Sequence, residues 1–394
     1  MAQPPAPNTN QKTLYQCIVE GVLHSIERGA FSFDLPICTE SKLMEQYGVS
    51  RITARRAMTE LERKGILYRK RGVGSFVSRD IYARQAEPVA GSNVFAFIFP
   101  FNITRSGLTA AFQAANSVLM EHGYCASIYI TEDDPPARGR TLLSQLNPAS
   151  VAGIAYYPKT ADIHLTLLNK FIFQRKPAVV LDIPSNCPYV SAVYSDNYSG
   201  SALLFEHLVA LGHRNIAYVS GVEPDARPTV CDRLSAYVLG HEQAGLPLRA
   251  DYILTTMSEA FRRATDAQTG QSNLQCAVRA LVERGVTAVL CEHDEIAFEM
   301  QLACKDLGIQ IPEQLSICGY DDSEWAHVLP GNVTTVRQNM EQIGIEVANL
   351  LLDGLQGTVR AATQRIIPTR FIAGTTTGPA PAAQSPADKP NGKK

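Results

Sequence analysis

From Val94 onward the chain keeps returning to short, unbroken apolar runs, at residues 94–100, 125–131, 151–158, 177–183, 216–220, 286–291 and 315–320. A strand solvated on one face alternates apolar and polar residues. An unbroken apolar run instead fits a strand covered on both faces. Helical patterns separate several of these runs and stop at Gly123, Gly212, Gly245, Gly285 and Gly308, as helices capped by a left-handed residue do. Strand–helix alternation of this kind builds parallel sheets covered by helices. About 280 residues is long for one such sheet. Two α/β lobes with a cleft between them are therefore expected over residues 93–377.

The first 78 residues read differently. Leu14, Cys17, Ile18, Val22 and Ile26 recur at helical spacing and predict a first helix ending near Gly29. Thr39 is placed to cap a short second helix, with Glu40 near its positive end. Gly48-Val49 makes a turn, and Ser50 caps a third helix that runs to about Lys64. Ala54, Ala57, Met58 and Leu61 form its inner face, and Arg55, Arg56, Thr59 and Arg63 face outward. Two short strands at 66–70 and 75–78, joined at Gly72-Val73-Gly74, complete a winged helix-turn-helix of the α+β class over residues 13–78. Residues 1–12 and 378–394 read as disordered tails, and 79–92 as a linker.

Charge separates the two parts. Between Arg51 and Arg79 nine basic residues face only Glu60 and Glu62, a local charge of +7, whereas the whole chain carries −2. A basic patch confined to one small region points to a polyanion bound there alone. Nine cysteines, none in C-x-x-C spacing, suggest core thiols in a reducing cytoplasm and no zinc site. No apolar run approaches the ~18 residues of a membrane span, and no signal peptide is visible.

These residues carry two resemblances. The run Thr39-Glu40-Ser41-Lys42-Leu43-Met44, then Gly48-Val49-Ser50-Arg51-Ile52-Thr53-Ala54-Arg55-Arg56-Ala57, then Gly72-Val73-Gly74-Ser75-Phe76-Val77 resembles the GntR winged helix. The runs Ser195-Asp196-Asn197-Tyr198-Ser199-Gly200, Leu211-Gly212-His213-Arg214-Asn215-Ile216-Ala217, Pro312-Glu313-Gln314-Leu315-Ser316-Ile317-Cys318-Gly319-Tyr320-Asp321-Asp322 and Val333-Thr334-Thr335-Val336 resemble the LacI/GalR effector domain, itself similar to periplasmic sugar-binding proteins. A GntR head on such a body is similar to the AraR type of arabinose repressor. The resemblance implies a cytoplasmic, homodimeric repressor of operator DNA, controlled by a sugar or related effector, with no cofactor.

The chemistry agrees with that implication. Arg51 and Arg55, four apart near a helix N-terminus, can reach base edges in the major groove, where a guanidinium pairs with guanine in a bidentate manner. Ser50 and Thr53 suit phosphate oxygens. Lys70, Arg71 and Gly72 form the wing, and Thr39 and Arg56 complete the expected DNA-binding set. For the effector, Asp196, Arg233 and Asp321 fall at strand ends, where a parallel sheet presents its ligand groups. The resemblance implies ligand contact for each of them. His293 stands where the family often has Asn, and can still donate and accept. Phe101, with Phe99 and Trp325, offers a stacking surface for a sugar's C–H face. Asp294 is expected to cap a helix, and His207 and His213 to be structural. Two other classes fit these residues less well. An aminotransferase-type body would need a Schiff-base lysine, and Lys159, Lys170, Lys176 and Lys305 sit in no such context. A transport-binding protein would have no use for the basic head.

Overall fold

The computed structural model describes residues 14–27, 36–70, 73–78, 92–100, 107–130, 146–158, 165–266, 270–357 and 362–382. The head comprises α1 (Leu14–Glu27), α2 (Glu40–Tyr47), α3 (Arg51–Arg63), β1 (Leu67–Lys70) and β2 (Gly74–Val77), the two strands pairing antiparallel. Ile18, Val22, Leu43, Ala54, Met58, Leu61 and Val77 close its core. Gly48 sits at φ 59° with open space around it, so the left-handed turn between α2 and α3 is what requires glycine there.

The body holds two sheets. The six-stranded one, ordered β13-β7-β6-β5-β3-β4, joins β3 (Val94–Phe99), β4 (Cys125–Ile130), β5 (Gly153–Tyr156), β6 (Ala178–Leu181), β7 (Ser191–Ser195) and β13 (Gln364–Ile367), with every pair parallel. In β3, Phe95, Phe97 and Phe99 enter one core with α4 (Leu108–Glu121) and α11 (Met340–Gln356). Ala96 and Ile98 enter the opposite core with α5 (Leu165–Phe173). That is why the run is apolar throughout. Helices α4 and α11 cross so closely that a Cβ on Gly344 would stand 2.0 Å from the Ala111 carbonyl oxygen.

The four-stranded sheet, β11-β10-β8-β9, joins β8 (Ile216–Val219), β9 (Ile253–Leu254), β10 (Ala288–Cys291) and β11 (Ser316–Cys318), again parallel. Helices α6 (Asn197–Ala210) and α7 (Pro228–Gln243) cover one face, with Phe205 and Tyr237 buried between them. The short α8 (Glu259–Arg263), α9 (Asn273–Glu283) and α10 (Asp294–Leu307) lie on the other side, where Leu274, Val278 and Met300 join Val219 and Val289 in a separate core. The chain passes between lobes three times: from β7 into α6, from β12 (Thr335–Arg337) into α11, and from β13 into β14 (Arg370–Ile372), which pairs with β12. This is the two-lobed body expected from the sequence.

The C-terminal boundary is corrected. The segment expected as a tail from 378 is held to the body at its start: the Gly378 amide donates to Ser316 Oγ at 3.1 Å and the Ala380 amide to the Leu211 carbonyl at 2.8 Å. The expected tails at 1–12 and 383–394, and linker positions 79–91, lie outside the described residues.

Candidate functional site

In the head, Thr39 Oγ1 accepts from the Lys42 amide at 3.3 Å and Ser50 Oγ from the Thr53 amide at 3.3 Å, fixing the starts of α2 and α3. Thr53 Oγ1 lies 3.0 Å from Ser50 Oγ. Arg51 and Arg55 project together, with 74% and 64% of their side chains exposed. Both meet Glu40, at 2.9 and 3.4 Å, and Arg69 reaches the same carboxylate at 3.7 Å. The hydrogen bond from Arg51, with the charges of Arg55 and Arg69, holds Glu40 below the usual carboxylate range. Arg56 is not part of this group. Its guanidinium lies over the Tyr15 ring of α1, 4.4 Å from the centroid. Lys70 closes β1 with its ammonium 4.8 Å from the Phe76 ring centroid. Arg71 and Gly72 lie outside the described residues.

The second site lies between the lobes, at the carboxyl ends of the strands. Arg233 of α7 is 5% exposed. Its Nε donates to Asn197 Oδ1 at 2.9 Å, Nη1 to the Glu292 carbonyl at 2.6 Å and Nη2 to Asp321 Oδ1 at 3.2 Å. Its guanidinium carbon lies over the Tyr320 ring, 3.7 Å from the centroid. Burial works against the charge of Arg233, yet Asp321 and its neighbours outweigh it, so the guanidinium is held more firmly protonated than usual. Burial likewise raises the Asp321 carboxyl, with Arg233 opposing. Asp321 keeps 33% of its side chain open and stands at φ 103°, a sparsely populated conformation that recurs at ligand clamps. Gln338, in the crossover into α11, donates to Asp321 Oδ1 at 2.6 Å and accepts from Ser195 Oγ at 2.6 Å.

A second charged group bridges the lobes. Asp182, at the end of β6 and at φ 73°, accepts from the Tyr157 hydroxyl at 2.8 Å and from Arg227 of the opposite lobe. Arg227 also donates to Tyr157 Oη at 2.9 Å, and burial raises the tyrosine's pKa.

Four expected positions read differently in the structure. Asp196 Oδ1 accepts from the Ser199 amide at 2.9 Å, so this carboxylate caps α6, and it is Asn197 that bonds Arg233. Phe99 is 1% exposed in the lobe core. Trp325 packs on Phe298, centroids 5.2 Å apart, in a surface groove of about 420 Å³ that shares no residue with the charged cluster. Asp294 does not cap α10. His293 does, its Nδ1 accepting from the Ile296 amide at 3.3 Å. Asp294 is buried and accepts from the Ser323 amide (2.7 Å), Ser323 Oγ (3.1 Å) and Thr335 Oγ1 (2.7 Å). Burial pushes its carboxyl up to about 7, against these donors. Phe101 lies outside the described residues. Arg233 and Asp321 are brought into contact. Tyr157, Asp182, Arg227, Glu292 and Gln338 join the cluster without having been expected there. Asp182 carried the same signal as Asp321, a carboxylate just past an apolar run.

Residues 14–77 match the gntR family of bacterial regulatory proteins, and residues 205–377 match the periplasmic binding protein-like domain. An arabinose metabolism transcriptional repressor of Geobacillus stearothermophilus is 28% identical over 362 residues, covering 88% of this chain and 93% of that protein. A repressor of the same description from Halalkalibacterium halodurans is 25% identical over 358 residues, covering 88% and 90%. Among solved structures, the cellobiose complex of the transcriptional regulator CelR matches with TM-score 0.61 at 20% identity, covering 93% of this chain and 100% of that one. A ribose-bound LacI family regulator from Enterococcus faecium matches with TM-score 0.58 at 22% identity, covering 73% and 99%. At these identities the solved structures establish the fold. The chain thus joins a gntR-type winged-helix head to a periplasmic-binding-protein-like body, and over most of its length it is similar to the two arabinose metabolism transcriptional repressors.

Proposed function

We propose that this protein is a homodimeric transcriptional repressor that releases its operator when a neutral sugar enters the cleft between its lobes. The observation that carries the reading is the cleft itself. Arg233–Asp321 and Asp182–Arg227–Tyr157 set fixed donors and acceptors at the strand ends of two facing lobes. Hydroxyl groups are recognised by such pairs, because each hydroxyl both donates and accepts. On the head, Arg51 and Arg55 would read bases, Ser50 and Thr53 would contact phosphate, and Lys70, with Arg71 and Gly72, would carry the wing into the neighbouring groove. The relatives' description makes arabinose the first sugar to try.

Fluorescence anisotropy with a palindromic duplex recovered by selection from random DNA tests the whole reading. Millimolar arabinose, ribose or cellobiose should weaken binding to that duplex and leave binding to random DNA unchanged. Specific binding that no sugar alters would refute the effector assignment. Absence of specific binding would refute the regulator.

A further inference from the structure

Two buried carboxylates follow β10, and the structure treats them in opposite ways. Asp294 has three donors. Glu292 is also buried, at 5% exposure against 0% for Asp294, yet its environment leaves it short of donors. Its Oε2 lies 3.3 Å from the Gly221 amide and 3.2 Å from Ser220 Oγ. The serine has one proton, and the shorter contact takes it: Ser220 Oγ stands 2.6 Å from the Val222 carbonyl, which can only accept. Glu292 therefore keeps one long bond from a backbone N–H. Its Oε1 has no partner among the described residues, and it is not among the sealed atoms left unpaired there. An ionised carboxylate in this position lowers stability unless something completes its shell.

The neighbouring histidine indicates what completes it. His293 Nδ1 accepts the Ile296 amide, so in the neutral ring the proton sits on Nε2. That nitrogen lies 4.0 Å from Glu292 Oε2, too far for a direct hydrogen bond. A donor and an acceptor thus stand side by side, unjoined, at the carboxyl end of β10, where Arg233 Nη1 also binds the Glu292 carbonyl. One hydroxyl fits both, accepting from His293 Nε2–H and donating to Glu292. A phosphate or carboxylate oxygen would fit neither the charge nor the missing donor.

We propose that Glu292, with His293, reads one hydroxyl of the effector and so restricts the cleft to uncharged, hydroxyl-rich ligands; this rests on the sugar reading above. The test uses the full-length protein, Glu292→Gln and Glu292→Ala. Calorimetric titration with arabinose, ribose and cellobiose selects the tightest sugar, and its monodeoxy derivatives are then titrated into native protein and variants. Glu292→Gln should weaken the parent sugar roughly 10- to 100-fold. One deoxy position should cost a similar factor in the native protein and little in the variant. The ligand-free variant should melt at or above the native temperature, because a carboxylate lacking partners has been removed. A purely structural residue would do the reverse, melting lower with sugar affinity changed less than twofold. That result overturns the proposal, as does a set of deoxy penalties equal in native and variant protein. Should no sugar bind native protein, the reading of the cleft fails separately, and a lower melting point of Glu292→Gln still overturns the role given to Glu292.

Discussion

The bridge between Asp182 and Arg227 joins the two lobes and should set how readily they part, and its strength can be worked from the structure. Asp182 belongs to the six-stranded lobe and Arg227 to the four-stranded one, with side-chain exposures of 14% and 16%. The Tyr157 hydroxyl bonds the same carboxylate. Bare Coulomb attraction at an effective dielectric of 20 is about 4 kcal/mol at this range, and desolvation of both ions offsets much of it. A charge-assisted hydrogen bond in this setting leaves about 1.5–3 kcal/mol. Each lobe keeps its own apolar cores, so the energy acts on the open–closed balance more than on unfolding. That corresponds to a shift of roughly 10- to 150-fold in the closed population. Arg227→Gln should enlarge the ligand-free radius of gyration in small-angle scattering and raise the effector Kd by about tenfold or more. Asp182→Asn should do the same, and the double variant should be no worse than the worse single one. Additivity of the two within about 0.5 kcal/mol would refute the bridge. An unchanged radius of gyration in all three proteins would refute its role as a latch.

Three further outcomes are expected. Arg51→Ala should cost about 1–3 kcal/mol on operator and relax preference at one position per half-site, whereas Lys70→Ala should weaken all duplexes alike and lower the salt slope by about one; equal losses on random and specific DNA would reassign Arg51 to phosphate. Asp321→Asn should remove the sugar response while operator affinity stays within about twofold, and loss of DNA binding by a folded variant would break the division of labour. His213 is fully buried, its Nε2 donating to the Gly378 carbonyl and its Nδ1 accepting from Thr287 Oγ1, and burial lowers its pKa. The unfolded chain therefore takes up its proton first, so stability supplied by this group is present above about pH 6.5 and is lost progressively as pH falls from there through the lower pKa of the folded state. Asp294 and Asp321, raised by burial, act with the opposite sign. His213→Asn should accordingly melt with a shallower loss on acidification from pH 7 to 5 than native protein, and an unaltered slope would remove His213 from the account.

Much of the fold was legible because its strands are buried on both faces. The run at 94–99 fits a strand covered on both faces, and Phe95, Phe97 and Phe99 do divide from Ala96 and Ile98 between two cores. Strands β12 to β14 were not legible. They are three or four residues long, and β13 is mostly exposed, so their sequence carries no period. The site divided in the same way. Position after a strand pointed to Asp321, whereas Arg233 lies inside α7 and follows no strand, so only the family resemblance marked it; and position cannot distinguish a carboxylate that caps a helix from one that faces a ligand. Asp196 and Asp182 each follow a strand of this lobe, and only three-dimensional placement sends Asp196 to the Ser199 amide and Asp182 to Arg227. Arg227 precedes the proline that opens α7 and bears no signal by itself.

Control of the head by the cleft follows from where the chain enters the body. Strand β3 begins at Val94 and ends at Phe99 beside the cleft, so the segment leading from the head joins this lobe at the end away from the ligand. On the proposed reading, effector binding would reach the head by turning this lobe about the three crossovers. Gln338 lies in one crossover and ties it to Ser195 at another and to Asp321 in the cleft. A ligand that engages Asp321 thus acts on the hinge directly. In a homodimer, rotation of each lobe alters the separation of two heads that must meet half-sites at a fixed spacing. The effector changes operator affinity only by as much as it prefers the rotated state, and linkage makes the effect mutual. If a saturating sugar weakens operator binding by a factor between about 5 and 150, saturating operator must weaken sugar binding by the same factor. Titrating the sugar into free protein and into the protein–operator complex measures both sides. Because that equality holds for any coupling mechanism, the route itself is tested by Gln338→Ala, which cuts the tie between Ser195 and Asp321: the common factor should fall toward one, and an unchanged factor would mean that the route through Asp321 and Gln338 has to be abandoned.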